Sequence, residues 1–391
     1  MKVVYATDQY WPCVSGVSAS IDLFREELVR LGHQVHILAP EYPGAGGDPP
    51  WVHRFRSSKV FFNDENRLVL RSESRHLADS LRELEPDIVH VQTEFALGAM
   101  ATRWARRRGI PVVVSAHTNW LDLIGFYLPW LPHWAAVRFC RWKMATSFNK
   151  AEAVVVPTSL MDTLLSAYGI RRPTRVIPTG VRPESLRVVP DRQPDPRTSH
   201  PALADGRILL FVGRLGLEKN IPFLFEVLQR LLPGHPDLRL LVVGDGPARL
   251  ELESLAAARG LADRVVFAGF VPHGQLAAYY ESAEIFVFPS KVEAQGLVVL
   301  EAMSCGTPVV AIGRMGTREV MGGSHGGFMV EDDVEDFVAA SRLLLSNPQL
   351  RERKRNEALE HAADWTMSAQ ARRMVHLYQA VRRKKGAGRK P

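Results

Sequence analysis

Cysteine is scarce. The 391 residues hold three, Cys13, Cys140 and Cys305, odd in number and without metal-ligand spacing. That excludes a disulfide framework and a cysteine-held zinc site, and reduced thiols in a cytoplasmic protein are the expectation. No uninterrupted apolar run reaches the 18 or more residues of a membrane span. Met1 to Ala6 has no basic start, no longer apolar stretch and no small-residue cleavage site, so it reads as a first β-strand and not as a signal peptide. Two nucleotide-loop signatures are missing: the Gly-Lys-Ser/Thr of a Walker A loop and the Gly-x-Gly-x-x-Gly of dinucleotide folds. There is no Asp-x-Asp cluster, so neither a metal nor another cofactor is expected. No nucleic-acid recognition motif stands out, and no nucleic-acid partner is expected. Finally, residues 372–391 contain no Asp or Glu against eight Lys+Arg.

What is present is an ordinary globular mixture, 46% hydrophobic and 23% charged. The length exceeds one ordinary core, so two domains are expected. Charge is uneven. Residues 1–190 carry 23 Lys+Arg against 18 Asp+Glu, whereas residues 191–371 carry 18 against 24. A basic first half and tail flanking an acidic second half suit an anionic surface; a merely solvated tail is the plainer alternative.

Along the chain, strand-like and helix-like stretches alternate. Lys2-Val-Val-Tyr-Ala, Val35-His-Ile-Leu-Ala, Ile88-Val-His-Val, Val112-Val-Val-Ser-Ala and Ala153-Val-Val-Val-Pro read as parallel strands buried on both faces. Ile21, Phe24, Leu28 and Leu31 recur at helical spacing, with Gly32 as a stop and Ser18 or Ser20 as candidate caps. A Pro- and Asp-rich stretch, Arg182 to Asp205, interrupts the rhythm. The alternation then restarts with Ile208-Leu-Leu-Phe-Val. The expected domains are 1–185, with a C-terminal helix of about 366–385 returning to it, and 206–365. Residues 186–205 are the expected linker and 384–391 a basic tail. Two βα domains imply a cleft, a favoured place for a ligand.

The most informative stretch is Lys291 to Val310. Glu293 and Glu301 stand eight residues apart around Gly296, followed by Gly306-Thr-Pro. A strand-like run precedes them, so Glu293 sits at a strand exit and Glu301 about two helical turns further on. Loops at the carboxyl ends of strands face the ligand crevice of α/β folds. Amides at Gln295, Gly296 and Leu297 sit at a helix start and can hold an anion, with Ala294 and Val298 as flanking candidates for the same ligand. Earlier, Gly213-Arg214 and Lys219 set a guanidinium fork and an ammonium on one glycine-bearing loop, which suits a diphosphate. Gly244 either clears space for a ligand or only makes a turn. Val271 either lies beside a nucleotide base or belongs to the core. In the first half, Gly16 lets backbone approach a bound group, and His117 follows a strand end; a structural histidine is the alternative.

Between Asn119 and Lys150 lie Trp120, Trp130, Trp134 and Trp142, interleaved with Arg138, Arg141, Lys143 and Lys150. Trp134, Val137, Arg141, Met144 and Phe148 share one side of a helix. Tryptophan with basic residues marks a helix lying in a membrane interface; a helix packed on the sheet is the alternative. The apolar stretch Leu121 to Leu131 suits an acceptor entrance. Arg106-Arg-Arg108 and Arg382-Arg-Lys-Lys385 favour anionic lipid.

Together these motifs resemble the GT-B glycosyltransferases, in particular the large retaining group called family 4, over almost the whole chain. The resemblance implies an α/β architecture of two Rossmann-like, doubly wound domains facing across a cleft. It implies that Arg214 and Lys219 hold the donor diphosphate, that Glu301 bonds the ribose and that Glu293 with the following amides holds the sugar. His117 matches the histidine near the reacting carbon and Gly16 the glycine at the donor phosphate. The Gln295-Gly-Leu-Val-Val-Leu-Glu301 wording looks like that of enzymes glycosylating diacylglycerol or other lipids. A lipid glycosyltransferase using UDP-glucose, peripheral on the inner face of the cell membrane, is the leading expectation. A mannosyltransferase using GDP-mannose on a glycolipid or phosphoinositide comes next, and a sugar-nucleotide or membrane-binding protein without turnover is the reading from another class.

Overall fold

The computed structural model describes every residue except Val14, 44–46, 61–62, 119–131, 187–194 and 388–391. It divides into two compact units, Met1–Gly180 with Met367–Pro391, and Val181–Thr366.

In the first unit the described residues form a seven-stranded sheet in the order β3-β2-β1-β6-β7-β8-β9, all parallel. The strands are β1 (Lys2–Ala6), β2 (Gln34–Pro40), β3 (Val52–Phe55), β6 (Ile88–Val91), β7 (Val112–Ser115), β8 (Ala153–Val156) and β9 (Thr174–Val176). β4 (Ser57–Val60) and β5 (Asn63–Val69) form a separate antiparallel pair. The Val/Ile runs of β1, β6, β7 and β8 are buried along their whole length or nearly so, as strands covered on both faces require. Removing each such side chain from water contributes about 1.5–3 kcal/mol. The helices are α1 (Gly16–Arg30), α2 (Ser74–Leu84), α3 (Ala96–Arg108), α4 (His133–Phe148) and α5 (Ser159–Ala167). α1 starts before both candidate caps, Ser18 and Ser20. Its cap is Ser15, in a capping box with Ser18; Ser20 instead bonds Thr179 at 2.7 Å.

The C-terminal helix, Met367–Ala387, packs in this unit. Its fully buried Tyr378 meets His90 Nδ1 at 2.7 Å, and His90 Nε2 meets Ser115 Oγ at 2.8 Å. Burial holds the Tyr378 phenol far above its usual range and lowers the His90 imidazole to about 3. Both are therefore neutral at pH 7. Further along the helix, Lys385 donates to Ile110 O at 3.2 Å and to Glu152 Oε1 at 2.5 Å.

The second unit has a six-stranded parallel sheet in the order β12-β11-β10-β13-β14-β15. Its strands are β10 (Arg207–Val212), β11 (Leu238–Val243), β12 (Val265–Gly269), β13 (Ile285–Phe288), β14 (Val309–Ile312) and β15 (Gly327–Val330). The helices are α6 (Ile221–Leu231), α7 (Arg249–Ala258), α8 (Leu276–Ser282), α9 (Leu297–Ser304), α10 (Met315–Met321), α11 (Val334–Ser346) and α12 (Pro348–Ala363). The chain enters and leaves side by side: Val181 N donates to Trp365 O at 2.8 Å. The segment read as a linker, 186–205, differs from that reading where it is described. Leu186 and Leu203 are buried in the core of the second unit, Pro196–Ser199 makes a helical turn, and Arg197 donates to Ser282 O at 3.3 Å. Leu186 and Leu203, with the buried Pro196 between them, anchor its described parts despite the prolines. Residues 187–194 lie outside the described residues.

Burial makes stability pH-dependent through two histidines. His117 is lowered to about 4 by burial, and His90 to about 3. Unfolded, each titrates near 6.5. Between those values the unfolded chain binds more protons, so this stability is present above pH 6.5 and lost as pH falls toward 4 and 3. Asp8, raised to about 6 by burial, acts oppositely, losing its contribution as pH rises through 6. The melting temperature of His90→Gln should fall less between pH 6.5 and 4 than that of the parent. Parallel melting-temperature profiles would contradict the assignment.

Candidate active site

The second sheet reverses its winding between β10 and β13, and ligands of doubly wound sheets sit outside the carboxyl ends of the strands at that point. The loop after β10 carries Gly213, Arg214 and Lys219; the loop after β13 carries Glu293. Glu293, 74 residues from Lys219, thus joins the other three through the two strands that flank the switch. Lys219 Nζ lies 2.5 Å from Glu293 Oε1, with both side chains less than a fifth exposed. Arg214 Nη2 lies 2.7 Å from Glu218 Oε1. Each cation assigned to a diphosphate therefore rests on a carboxylate. Glu218 is a participant that spacing did not reveal, because an acidic residue beside a lysine looks like any surface pair.

The turn from Glu293 to Leu297 is built by close backbone contact. Gly316 N donates to Glu293 O at 2.9 Å. A Cβ on Gly316 would stand 2.5 Å from the Ala294 carbonyl and from Gln295 Cα. Gly296 is in the left-handed region, at φ 83, as the cap of α9. Gln295 is buried, whereas Leu297 and Val298 are half-buried. Glu301 is buried one turn into α9. Its Oε2 accepts from Tyr280 Oη at 2.8 Å, and its Oε1 meets His273 Nε2 at 3.1 Å. Burial, and then the Glu301 charge, raise the Tyr280 phenol well above its usual range, so it stays a donor. Tyr280 and His273 were not legible beforehand; they precede Glu301 by 21 and 28 residues and come from α8 and the turn before it.

Gly244 has a packing reason. It sits at φ 130, and a Cβ there would lie 1.9 Å from Gly213 O. Leu215 N also donates to Asp245 O at 2.9 Å, so the Gly244 loop braces the loop that carries Arg214. Val271 is buried in the core of the unit, beside exposed Phe270.

In the first unit the winding reverses between β1 and β6. After β1 the chain runs to Gly16, the exposed first residue of α1. Asp22 accepts from Tyr10 Oη at 2.6 Å and from Trp11 Nε1, and Arg54 donates to Trp11 O at 2.8 Å. That loop is thus held from α1 and from β3. After β6, Asp8 caps α3 by accepting from Leu97 N at 2.8 Å. His117, half-buried two residues past β7, places Nε2 2.7 Å from Gln92 Oε1.

Of the tryptophan-rich stretch, Trp120, Trp130 and Leu121 to Leu131 lie outside the described residues. α4 itself corrects the expected face. Met144 and Phe148 are buried along with Ala136 and Cys140, whereas Trp134 and Arg141 are exposed. Residues three to four apart share a side only approximately, and Met144 and Phe148 turned inward with Ala136 and Cys140. The exposed side carries Trp134, Arg138, Phe139, Arg141 and Trp142, with Trp134 73% exposed. Arg141 also donates to Ala167 O at 2.7 Å. Among the described residues no helix is long and apolar enough to cross a membrane.

The profile for "Glycosyl transferases group 1" matches residues 193–361, and that for "Glycosyltransferase Family 4" matches residues 14–185. The chain is 29% identical over 92% of its length, and 82% of the relative's, to the alpha-monoglucosyldiacylglycerol synthase of Streptococcus pneumoniae. It is 30% identical over 87% of its length, and 86% of the relative's, to the GDP-mannose-dependent alpha-mannosyltransferase of Mycolicibacterium smegmatis. Among solved structures it is similar to a sucrose-phosphate synthase from Thermosynechococcus elongatus. The TM-score there is 0.76 at 20% identity, covering 97% of this chain and 98% of that one.

Gly244 and Gly16 separate two uses of glycine. Gly244→Ala drives a Cβ into backbone at positive φ and should destabilise by about 1–3 kcal/mol. Gly16 has nothing within 4 Å of the added carbon, so Gly16→Ala should leave stability within about 0.5 kcal/mol. Urea unfolding of the two variants checks this; equal losses would refute it.

Proposed function

This chain belongs to the group 1, family 4 glycosyltransferases of GT-B fold, and from that premise we propose that it moves a hexose from a nucleoside-diphosphate sugar to a membrane lipid. UDP-glucose is the favoured donor and diacylglycerol the favoured acceptor class, with the anomeric configuration retained. One observation carries the donor half: Arg214, Lys219 and Glu293 arise from the two strands at the switch point of the second sheet. The lipid half is supported by relatedness to a protein named for glucosyl transfer to diacylglycerol. A specific relative also supports a second reading, GDP-mannose as donor.

The chemistry follows from the charges. A diphosphate carries more negative charge than a carboxylate and accepts bidentate bonds from a guanidinium. On binding, it replaces Glu218 at Arg214 and Glu293 at Lys219. Glu293 is then released to accept from sugar hydroxyls, and Glu301, steadied by Tyr280 and His273, to accept from the ribose. As the bond at the sugar's C1 breaks, charge grows on the β-phosphate. Arg214 and Lys219 stabilise that charge where it develops. The acceptor hydroxyl attacks from the face the phosphate leaves, and the phosphate takes its proton. In this reading His117 and Gly16, in the first unit, also serve the donor.

The exposed face of α4 joins aromatic rings to arginines, a composition that favours an anionic lipid interface. Basic ends lie near its C-terminus: Arg106 donates to Lys150 O at 3.0 Å, and Arg172 to Asn149 O at 2.8 Å. The protein should sediment with anionic vesicles at low salt and less at high salt, where charges are screened. Trp134→Ala with Trp142→Ala should weaken sedimentation at both. Sedimentation unchanged in that variant would remove α4 from the contact.

A donor-by-acceptor screen tests the reaction itself. Nucleotide release from UDP-glucose should rise when diacylglycerol vesicles are added. Arg214→Ala and Lys219→Ala should each lower kcat by about 10²-fold or more in a protein that still folds, the scale of losing a charge-stabilising group. Near-parent turnover in both variants would rule the mechanism out. Binding of a nucleotide sugar with no acceptor giving turnover would favour a non-catalytic protein.

A further inference from the structure

Gln92 follows β6 at the switch point of the first sheet, beside the strand that delivers His117. Its backbone N donates to Ala6 O at 2.8 Å and its side chain is buried, so it has little freedom to swing away. His117 Nε2 lies 2.7 Å from Gln92 Oε1. The other ring nitrogen, Nδ1, has no hydrogen-bond partner among the described residues. We propose that Gln92 is a positioning residue for His117: its side-chain carbonyl fixes the imidazole as the Nε2–H tautomer, which presents Nδ1 as a hydrogen-bond acceptor to a hydroxyl of the donor sugar.

The chemistry is one of elimination. A neutral imidazole has one donor nitrogen and one acceptor nitrogen, and an amide oxygen only accepts. With Nε2 against that oxygen, Nε2 must carry the proton. Burial keeps His117 neutral by lowering it to about 4. His117 and Gln92 line a cavity of about 20 Å³ together with Tyr5, Ser20, His90 and Ser115. Among the described residues that line it there is no carboxylate, lysine or arginine, and the titratable neighbours are Tyr5 and His90. Burial raises Tyr5 out of the titrating range and lowers His90 to about 3. Among the described residues lining the cavity none supplies a charge, so the amide decides the tautomer. An acceptor at Nδ1 selects an O–H group over an ether or phosphate oxygen, which matches a sugar hydroxyl. This step rests on the proposed function, in which His117 meets the donor; the tautomer itself does not.

Long-range proton–nitrogen NMR spectra of the full chain with labelled histidine, assigned with His117→Gln, read the tautomer without donor or acceptor. The expected spectrum is a single Nε2–H form from pH 8 to about 5. In Gln92→Glu the carboxylate should raise the His117 midpoint by at least one pH unit and raise the acid limb of kcat/KM by a similar step. Gln92→Leu should show mixed tautomers and a donor KM raised several-fold, and Gln92→Asn partial recovery of both; melting curves establish that each variant is folded. An Nδ1–H form in the parent, or a Gln92→Leu spectrum identical to it, would overturn the proposal. The expected tautomer in a protein that binds no nucleotide sugar would overturn the donor reading and the role given to Nδ1, and leave the role of Gln92 on the ring.

Discussion

The contact between Lys219 and Glu293 is the constraint on which the candidate site of the second unit depends. A strand exit on each side of a topological switch delivers one charge, and the two meet at 2.5 Å. Partial burial makes either charge costly alone, so each needs a partner at all times. Without a ligand the partners come from the protein, Glu293 for Lys219 and Glu218 for Arg214. The loops thereby keep their cations in place without a standing field of unpaired positive charge. In the proposed function a diphosphate would compete for both cations at once, which neither carboxylate does.

Rigid backbone contact holds the loops that carry these charges. Gly244 lets the loop after β11 lie on the carbonyl of Gly213, and Gly316 lets α10 press on Ala294 and Gln295. Side chains at either place would open the loops by more than the tolerance of a hydrogen bond. The anchors of Glu301 work similarly: Tyr280 is a locked donor because burial and the neighbouring charge keep its proton on. The first unit repeats the scheme with different groups. Asp8, Asp22 and Gln92 each accept hydrogen bonds that fix an element bordering its switch point.

Much of this was legible in the residues. Unbroken Val/Ile runs marked the central strands because burial on both faces removes the need for alternation. Glu293, Gly296 and Glu301 were legible because a strand exit and a helix start impose fixed spacing. The pairing of Arg214 with Glu218, and of Glu301 with His273 and Tyr280, was not, because those contacts depend on side-chain reach and on elements joined only by folding. The segment 186–205 looked like linker by its prolines, yet Leu186 and Leu203 give it a place in a core. On α4, spacing placed Trp134 with Met144 and Phe148, and tertiary packing separated them. Membership of the family accounts for the agreement over both sheets, since residues 14–185 and 193–361 each match a glycosyltransferase profile.

A crystal structure with UDP or GDP bound tests the central exchange most directly. The diphosphate should lie within hydrogen-bonding distance of Arg214 and Lys219, with Glu218 and Glu293 turned away from them and the ribose on Glu301. A nucleotide bound elsewhere, or one seated with both carboxylates still on their cations, would contradict it.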